Sequence, residues 1–239
     1  AIDYLAELSG GDARSALGDL ELALSLSEKV NLETVKSATG QKVPGYDKTG
    51  DHHYNNISAF IKSMRGSDVD AALYYLARML NAGEDPKFIA RRMVIFVSED
   101  IGLAGTGALT AAVSAFQAVE RVGMPEAQII LSQAVNYIAT APKSNASCNA
   151  IFEATAAVKE YGDLPIPTHL QDAHYKGSAK LGHGIGYKYS HDYKNHYCEQ
   201  QYLPYELNGK EFYKPTNNGY EVKIKEHMAR IKREAKEDK

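Results

Sequence analysis

An all-α fold is predicted by this sequence, and three observations carry the prediction. Apolar residues recur at helical spacing in one segment after another between Ala16 and Tyr161. The segments are separated by helix punctuation, with capping residues at their starts and glycines at several of their ends. Alanine dominates two of them, 107–122 and 125–140, where it favours helix and lets neighbouring helices approach closely. The prediction is a helical bundle followed by a long, irregular, tyrosine-rich C-terminal wrap.

The first helix follows Gly10-Gly11-Asp12-Ala13-Arg14, with Asp12 as its N-cap and Leu17, Leu20 and Leu24 at helical spacing. Asn31 caps a short second helix over 32–38. Gly40, Pro44, Gly45 and Gly50 then fall in a stretch with little apolar content, which reads as a linker. The domain boundary is placed there, giving domains 1–44 and 45–239. A helix over 52–64 aligns Ile57, Phe60, Ile61 and Met64 on one face and stops at Gly66. Ser67 or Asp68 caps the next, whose buried stripe is Val69, Leu73, Leu76, Ala77 and Leu80. Asp85-Pro86 opens a third, cap followed by proline at the first helical position. Its run Met93-Val94-Ile95-Phe96-Val97 is apolar nearly all round, which predicts the central, most buried helix.

The alanine-rich helices and one more over 144–161 complete the bundle. After Gly162, Pro165, Pro167, Gly177, Gly182, Gly184 and Gly186 break up regular structure, and tyrosines crowd in from Tyr175 to Tyr220. Roughly 60 irregular residues are unusual in a compact protein, so their aromatics are expected to pack on the helical body or on another subunit. A strongly charged helix over 220–235 closes the chain, read as a solvated helix whose Glu221, Glu226 and Glu234 pair with its lysines and arginines.

Composition excludes several classes of function. With 239 residues, 44% of them hydrophobic, the chain can bury one large core or a core with a small annex. A net charge of −3 supplies no overall field for nucleic acid or membrane. Cys148 and Cys198 are the only cysteines, which suits a reducing cytoplasm better than a disulfide scaffold. No targeting peptide or membrane span is read in the chain. There is no Gly-x-x-x-x-Gly-Lys-Ser/Thr loop, no Gly-x-Ser-x-Gly elbow and no His-Glu-x-x-His. No catalytic set emerges from this chain alone.

Two sets of residues carry chemistry. Arg14, delivered by a small-residue hinge onto the first turn of a helix, offers a planar fork of donors suited to a γ-phosphate oxygen; an exposed arginine on an amphipathic helix fits the same residues. Lys176, Lys180, Lys188 and Lys194, interleaved with Tyr187, Tyr189 and Tyr193, form a basic-aromatic stretch of the kind that holds single-stranded nucleic acid; packing tyrosines with wet hydroxyls fit it as well. His191, His196 and Cys198 match no zinc spacing, so no metal site is expected, and hydrogen bonding is the predicted role of these histidines.

Longer motifs give the chain a family. Residues 46–80 (YDKTGDHHYNNISAFIKSMRGSDVDAALYYLARML) and 84–104 (EDPKFIARRMVIFVSEDIGLA) resemble the C-terminal region of the replication-associated recombination protein A, or MgsA, family of AAA+ ATPases. The family is related to Werner-helicase-interacting protein. The Pro165–Ala173 turn PIPTHLQDA, GYKYSHDY (186–193), QQYLP (200–204) and FYKPTNNGYE (212–221) resemble it too.

The resemblance implies that residues 1–44 end the AAA+ lid, with Arg14 as its sensor-2 arginine. Gly18 stands where the family pattern leads one to expect asparagine. The remainder resembles the oligomerisation domain, similar to the helical collar of clamp-loader subunits and associated with homotetramers. The parent proteins are implied to hydrolyse ATP with Mg, bind DNA, and act in replication-fork maintenance, recombination and repair beside single-strand-binding protein, in the bacterial cytoplasm at the nucleoid. An alternative job for this region is recruiting DNA or single-strand-binding protein. The small-residue helices over 107–140 and the tyrosine wrap are the expected assembly surfaces.

Overall fold

The computed structural model describes residues 1–9, 13–27, 29–39, 51–174 and 181–237. Among these it has ten α-helices and no strand, the class that the helical spacing and capping predict. Contacts divide the chain into two compact units, Ala1–Val97 with Gly107–Ala141 and Ser98–Thr106 with Pro142–Lys239.

In the first unit, α1 (Ile2–Ser9), α2 (Ala13–Leu26) and α3 (Leu32–Thr39) close on a small core of Leu5, Ala23 and Val35, flanked by Tyr4, Leu20, Val30 and Ala38. Asn31 caps α3 as its sequence position predicts, its Oδ1 accepting from the Thr34 N–H at 2.9 Å. The Asp12 cap lies outside the described residues. Leu17 and Leu24 do not join Leu20 inside: they are 61% and 51% exposed. They sit roughly 120° and 100° round the helix from Ala23, beyond the narrow face that α1 and α3 can cover.

Five longer helices make the main bundle: α4 (Asp51–Arg65), α5 (Val69–Asn81), α6 (Pro86–Phe96), α7 (Ala108–Val122) and α8 (Ala127–Thr140). Of the two capping candidates before α5, Asp68 does the work, accepting from the Ala71 N–H at 2.9 Å, while Ser67 takes a left-handed φ of 60° in the turn. Asp85 accepts from the Lys87 N–H at 2.9 Å, with Pro86 at the helix start. The core is built on Phe60, Met64, Met79, Met93, Phe96, Leu131 and Ile138.

Two expectations are corrected here. The buried stripe of α5 is Ala72, Leu76 and Met79, at i, i+4 and i+7; Leu73 and Leu80 are only half-buried and Ala77 is exposed. Nor is α6 covered all round, because Ile95 faces solvent. The helix also stops being α-helical at Phe96: Val97–Ile101 is a π-helical turn and Gly102–Ala104 a 3₁₀ turn. On α7 and α8, Ala112, Ala115, Ala134 and Ala139 are buried, so these alanines serve close helix packing inside the unit.

The second unit holds α9 (Ala146–Tyr161), α10 (Glu221–Glu237) and, between them, turns and short 3₁₀ segments. The tyrosines of this segment divide between exposed and half-buried positions. Tyr187, Tyr189, Tyr193, Tyr202, Tyr205 and Tyr220 are exposed, Tyr197 and Tyr213 are half-buried, and hydrogen bonds tie parts of the segment together. The Gln200 amide is one clamp: its Oε1 accepts from the Lys188 N–H at 3.1 Å, and its Nε2 donates to the Lys188 carbonyl and the Tyr202 hydroxyl, both at 2.8 Å. His169 Nε2 meets the Gln201 carbonyl at 2.8 Å.

Candidate functional site

Arg14 is the second residue of α2 and is exposed. It does not stand on a polar face. Arg14, Leu17, Glu21 and Leu24 follow one another at i, i+3, i+7 and i+10 and are all exposed, so the arginine begins a stripe that contains two solvent-facing leucines. The guanidinium therefore heads the face of α2 opposed to the small core around Ala23.

The residues 212–221 form a clasp within the second unit. At its centre is Glu221, the first residue of α10, fully buried at 0% exposure. Its Oε2 accepts from the Thr216 hydroxyl at 2.6 Å, the Thr216 N–H at 2.7 Å and the Ser144 hydroxyl at 2.8 Å, and its Oε1 from the Tyr213 hydroxyl at 3.2 Å. Burial pushes the carboxyl up, but the bonds from Thr216, Ser144 and Tyr213 outweigh it and hold Glu221 below the ordinary carboxylate range. Burial, reinforced by that carboxylate, pushes the Tyr213 phenol up to about 12. The reading of Glu221 as a solvated pairing residue is thus overturned: four donors replace its water.

The clasp reaches two other segments of the same unit. The Tyr220 N–H donates to the Ala104 carbonyl at 2.9 Å, and the Asn218 amide to the Lys143 carbonyl at 3.0 Å. The Ser144 N–H donates in turn to the Asp100 carbonyl at 2.8 Å. Gly219, at φ 54°, lies so close to the Ala104 carbonyl that no side chain fits there.

Above this clasp α9 presents an apolar face. Ile151 and Phe152 are 61% and 66% exposed, and Val158, two turns on, is 66% exposed, while the helix buries only Ala146 and Ala157. A shallow cavity of about 390 Å³ continues the face, lined by Leu103, Ser147, Ala150, Ile151, Ala154 and Tyr213. In the first unit a groove of about 1040 Å³ between α5 and α8 is lined by Leu73, Tyr74, Leu80, Met124 and Ile129, with Arg78 among them.

The basic-aromatic stretch is only partly assembled. Lys176 and Lys180 lie outside the described residues. Tyr187, Tyr189 and Tyr193 are exposed. The Lys188 ammonium turns back onto the Glu199 carbonyl at 3.4 Å, and Lys194 begins the 3₁₀ turn Lys194–His196. His191 and His196, expected to hydrogen-bond, instead form a ring row with Tyr189: centroids are 5.1 Å apart for Tyr189 and His191, and 4.8 Å for His191 and His196.

Two family models cover the chain in succession. One described as AAA C-terminal domain matches residues 1–65, and one described as MgsA AAA+ ATPase C terminal matches residues 66–232. The chain belongs to the MgsA family of AAA+ ATPases. An uncharacterized AAA domain-containing protein of Mycobacterium tuberculosis is 50% identical over 236 residues, covering 97% of this chain and 52% of that protein. Replication-associated recombination protein A of Bacillus subtilis is 48% identical over 226 residues, 92% of this chain and 53% of the relative. The ATPase WRNIP1 of Dictyostelium discoideum is 38% identical over 237 residues, 89% of this chain and 27% of that protein. The chain spans about half the length of the bacterial relatives it matches and corresponds to the C-terminal region of the family.

Sequence reasoning marked residues 212–221 as a stretch resembling the family but missed two features. Glu221 was hidden because a glutamate heading a charged helix ordinarily faces water; the signal was Thr216 and Tyr213 within reach just upstream. The exposure of Ile151, Phe152 and Val158 was hidden because large apolar residues on a helix ordinarily face a core. Only the structure shows that the alanines on the other side are the buried ones. No described helix is long and apolar enough to cross a membrane.

Proposed function

We propose that this chain is the assembly region of a replication-associated AAA+ ATPase, built to hold subunits together as a homotetramer. The observation that carries the reading is the exposed surface of α9, where Ile151 and Val158 share one face, Phe152 stands about 100° round from Ile151, and all three are more than half exposed on a helix that buries only alanines. Water against these large apolar side chains is costly, at roughly 25 cal/mol for each Å² of apolar surface, and covering them with another subunit recovers that energy. Arg14 is the sensor-2 arginine in this reading. Its stripe with Leu17 and Leu24 is the face that the parent's nucleotide-binding core covers, so that the guanidinium reaches the γ-phosphate of ATP held with Mg by that core. DNA and single-strand-binding protein are partners of the parent ATPase.

Charge on the α9 face tests the reading. Phe152→Asp and Ile151→Asp replace exposed side chains, so far-UV circular dichroism and thermal stability are expected to stay near those of the wild type. The mass by light scattering is expected to fall to that of a single chain. Variants that keep the wild-type mass would remove α9 from the assembly.

A further inference from the structure

The groove between α5 and α8 is used by neither the α9 surface nor Arg14. Its α5 wall accounts for the stripe that the sequence predicts and the core does not take. Val69, Leu73, Ala77 and Leu80 recur at helical spacing, as a buried stripe does, yet the core takes Ala72, Leu76 and Met79. Helix α5 thus carries two apolar stripes and buries one of them. The other is half-buried or exposed, and its Leu73, Ala77 and Leu80 line the groove of about 1040 Å³. Tyr74, Met124 and Ile129 line it too, at 62%, 49% and 67% exposure. Arg78, one turn on from Tyr74, is the one charged residue among the described lining residues. Tyrosine and arginine are the residues that most often anchor a partner.

We propose that this groove is the docking site for an amphipathic helix of a partner protein, one whose apolar stripe is flanked by a carboxylate. Both walls are helices, whose backbone groups are satisfied internally. An extended peptide finds no main-chain partners there, whereas the side chains of a helix pack between the two walls. The free stripe of α5 runs about 16 Å at 1.5 Å per residue, so a helix of about three turns covers it. The carboxylate answers Arg78, whose guanidinium offers it two parallel hydrogen bonds. The α9 surface of a second copy does not supply this helix. Ile151, Thr155 and Val158 share a face of α9 with no carboxylate among them, and the adjoining Lys159 would set a cation against Arg78. The docking site therefore stands apart from the assembly reading.

Phage-displayed helices of about three turns, with leucines fixed at helical spacing and the other positions randomised, are selected on the 239-residue chain. The selected helices are expected to carry Asp or Glu beside the leucines. Made as a labelled peptide, such a helix binds the chain in fluorescence anisotropy, and Ile129→Asp and Arg78→Glu each weaken it about tenfold or more. Both replaced side chains are exposed, so circular dichroism and Tm stay those of the wild type. Replacing the acid of the peptide with lysine restores binding to the Arg78→Glu chain, which a merely damaged groove could not do. Selection of no helix, selected helices without an acid, equal binding by the Ile129→Asp chain, or failure of the lysine peptide to rescue would each overturn the proposal. So would a lower light-scattering mass for Ile129→Asp, which would make the groove a contact between copies of this chain.

Discussion

Replacing Gly219 with alanine attacks the clasp at the point where its geometry leaves least room. At φ 54° the residue is left-handed, which costs an L side chain roughly 1–2 kcal/mol by itself. The added Cβ would overlap the Ala104 carbonyl oxygen and lie 2.6 Å from Pro142 Cγ and 2.9 Å from the Ala104 carbonyl carbon. Two of those atoms are backbone, so relief requires the clasp to back away. That breaks the 2.9 Å bond from the Tyr220 N–H, worth about 1 kcal/mol, and loosens the bonds to the Glu221 carboxylate, worth about 1.5–3 kcal/mol each. The expected total is about 3–5 kcal/mol.

Gly209 supplies the control. It sits at φ 78° in a turn closed by the Lys210 N–H and the Leu207 carbonyl at 3.0 Å, and a Cβ there meets nothing within 4 Å. Gly209→Ala should cost only the conformational part, about 1 kcal/mol. For a chain of this size each kcal/mol moves Tm by about 2–4 °C. Thermal melts followed by circular dichroism should therefore show a loss of about 10 °C for Gly219→Ala and a few degrees for Gly209→Ala. Equal shifts in the two variants would refute the close approach at Ala104 and with it the clasp.

Other outcomes follow from the same geometry. Because Glu221 is held below the ordinary value of 4.5, its contribution to stability is complete above that pH and is lost as pH falls through the lower folded value; urea melts of Glu221→Gln should lose this acid dependence, and an unchanged acid limb would contradict it. Tyr213 has the opposite sign: with its phenol raised from 10.0 to about 12, its contribution is complete below pH 10 and disappears as pH climbs toward 12. Tyr213→Phe should flatten that alkaline limb, and a limb of wild-type slope would argue against the pairing with Glu221. Ala112→Leu and Ala115→Leu overpack buried helix contacts and should each cost about 1–3 kcal/mol in urea titrations; wild-type stability would mean the helices are not in close contact there. Arg14→Ala in the full-length parent should impair ATP turnover without changing oligomer size, and wild-type turnover would remove the sensor role.

What the sequence disclosed was local chemistry. Asn31, Asp68 and Asp85 could be read as caps because an N-cap needs only its own side chain and the next two or three N–H groups. Helix order followed from such punctuation. Faces were harder to read. Leu73 and Leu80 follow the period of a buried stripe as well as Leu76 does, and only the placement of α8 beside α5 decides which of them goes inside. Leu17 and Leu24 stay exposed for a similar reason: the three short helices around Ala23 form a core too small to cover them. Glu221 was out of reach because its burial depends on Ser144, 77 residues away, a contact no spacing rule contains. Arg14 could be located but not assigned from its own four neighbours; the role proposed for it comes from the family resemblance.

The central claim is that assembly is built into this region, and the solution mass of the chain by light scattering across a range of concentrations tests it most directly. The account predicts a stable mass near four times 26.2 kDa. A mass of 26.2 kDa at every concentration would contradict it and move assembly elsewhere in the parent ATPase.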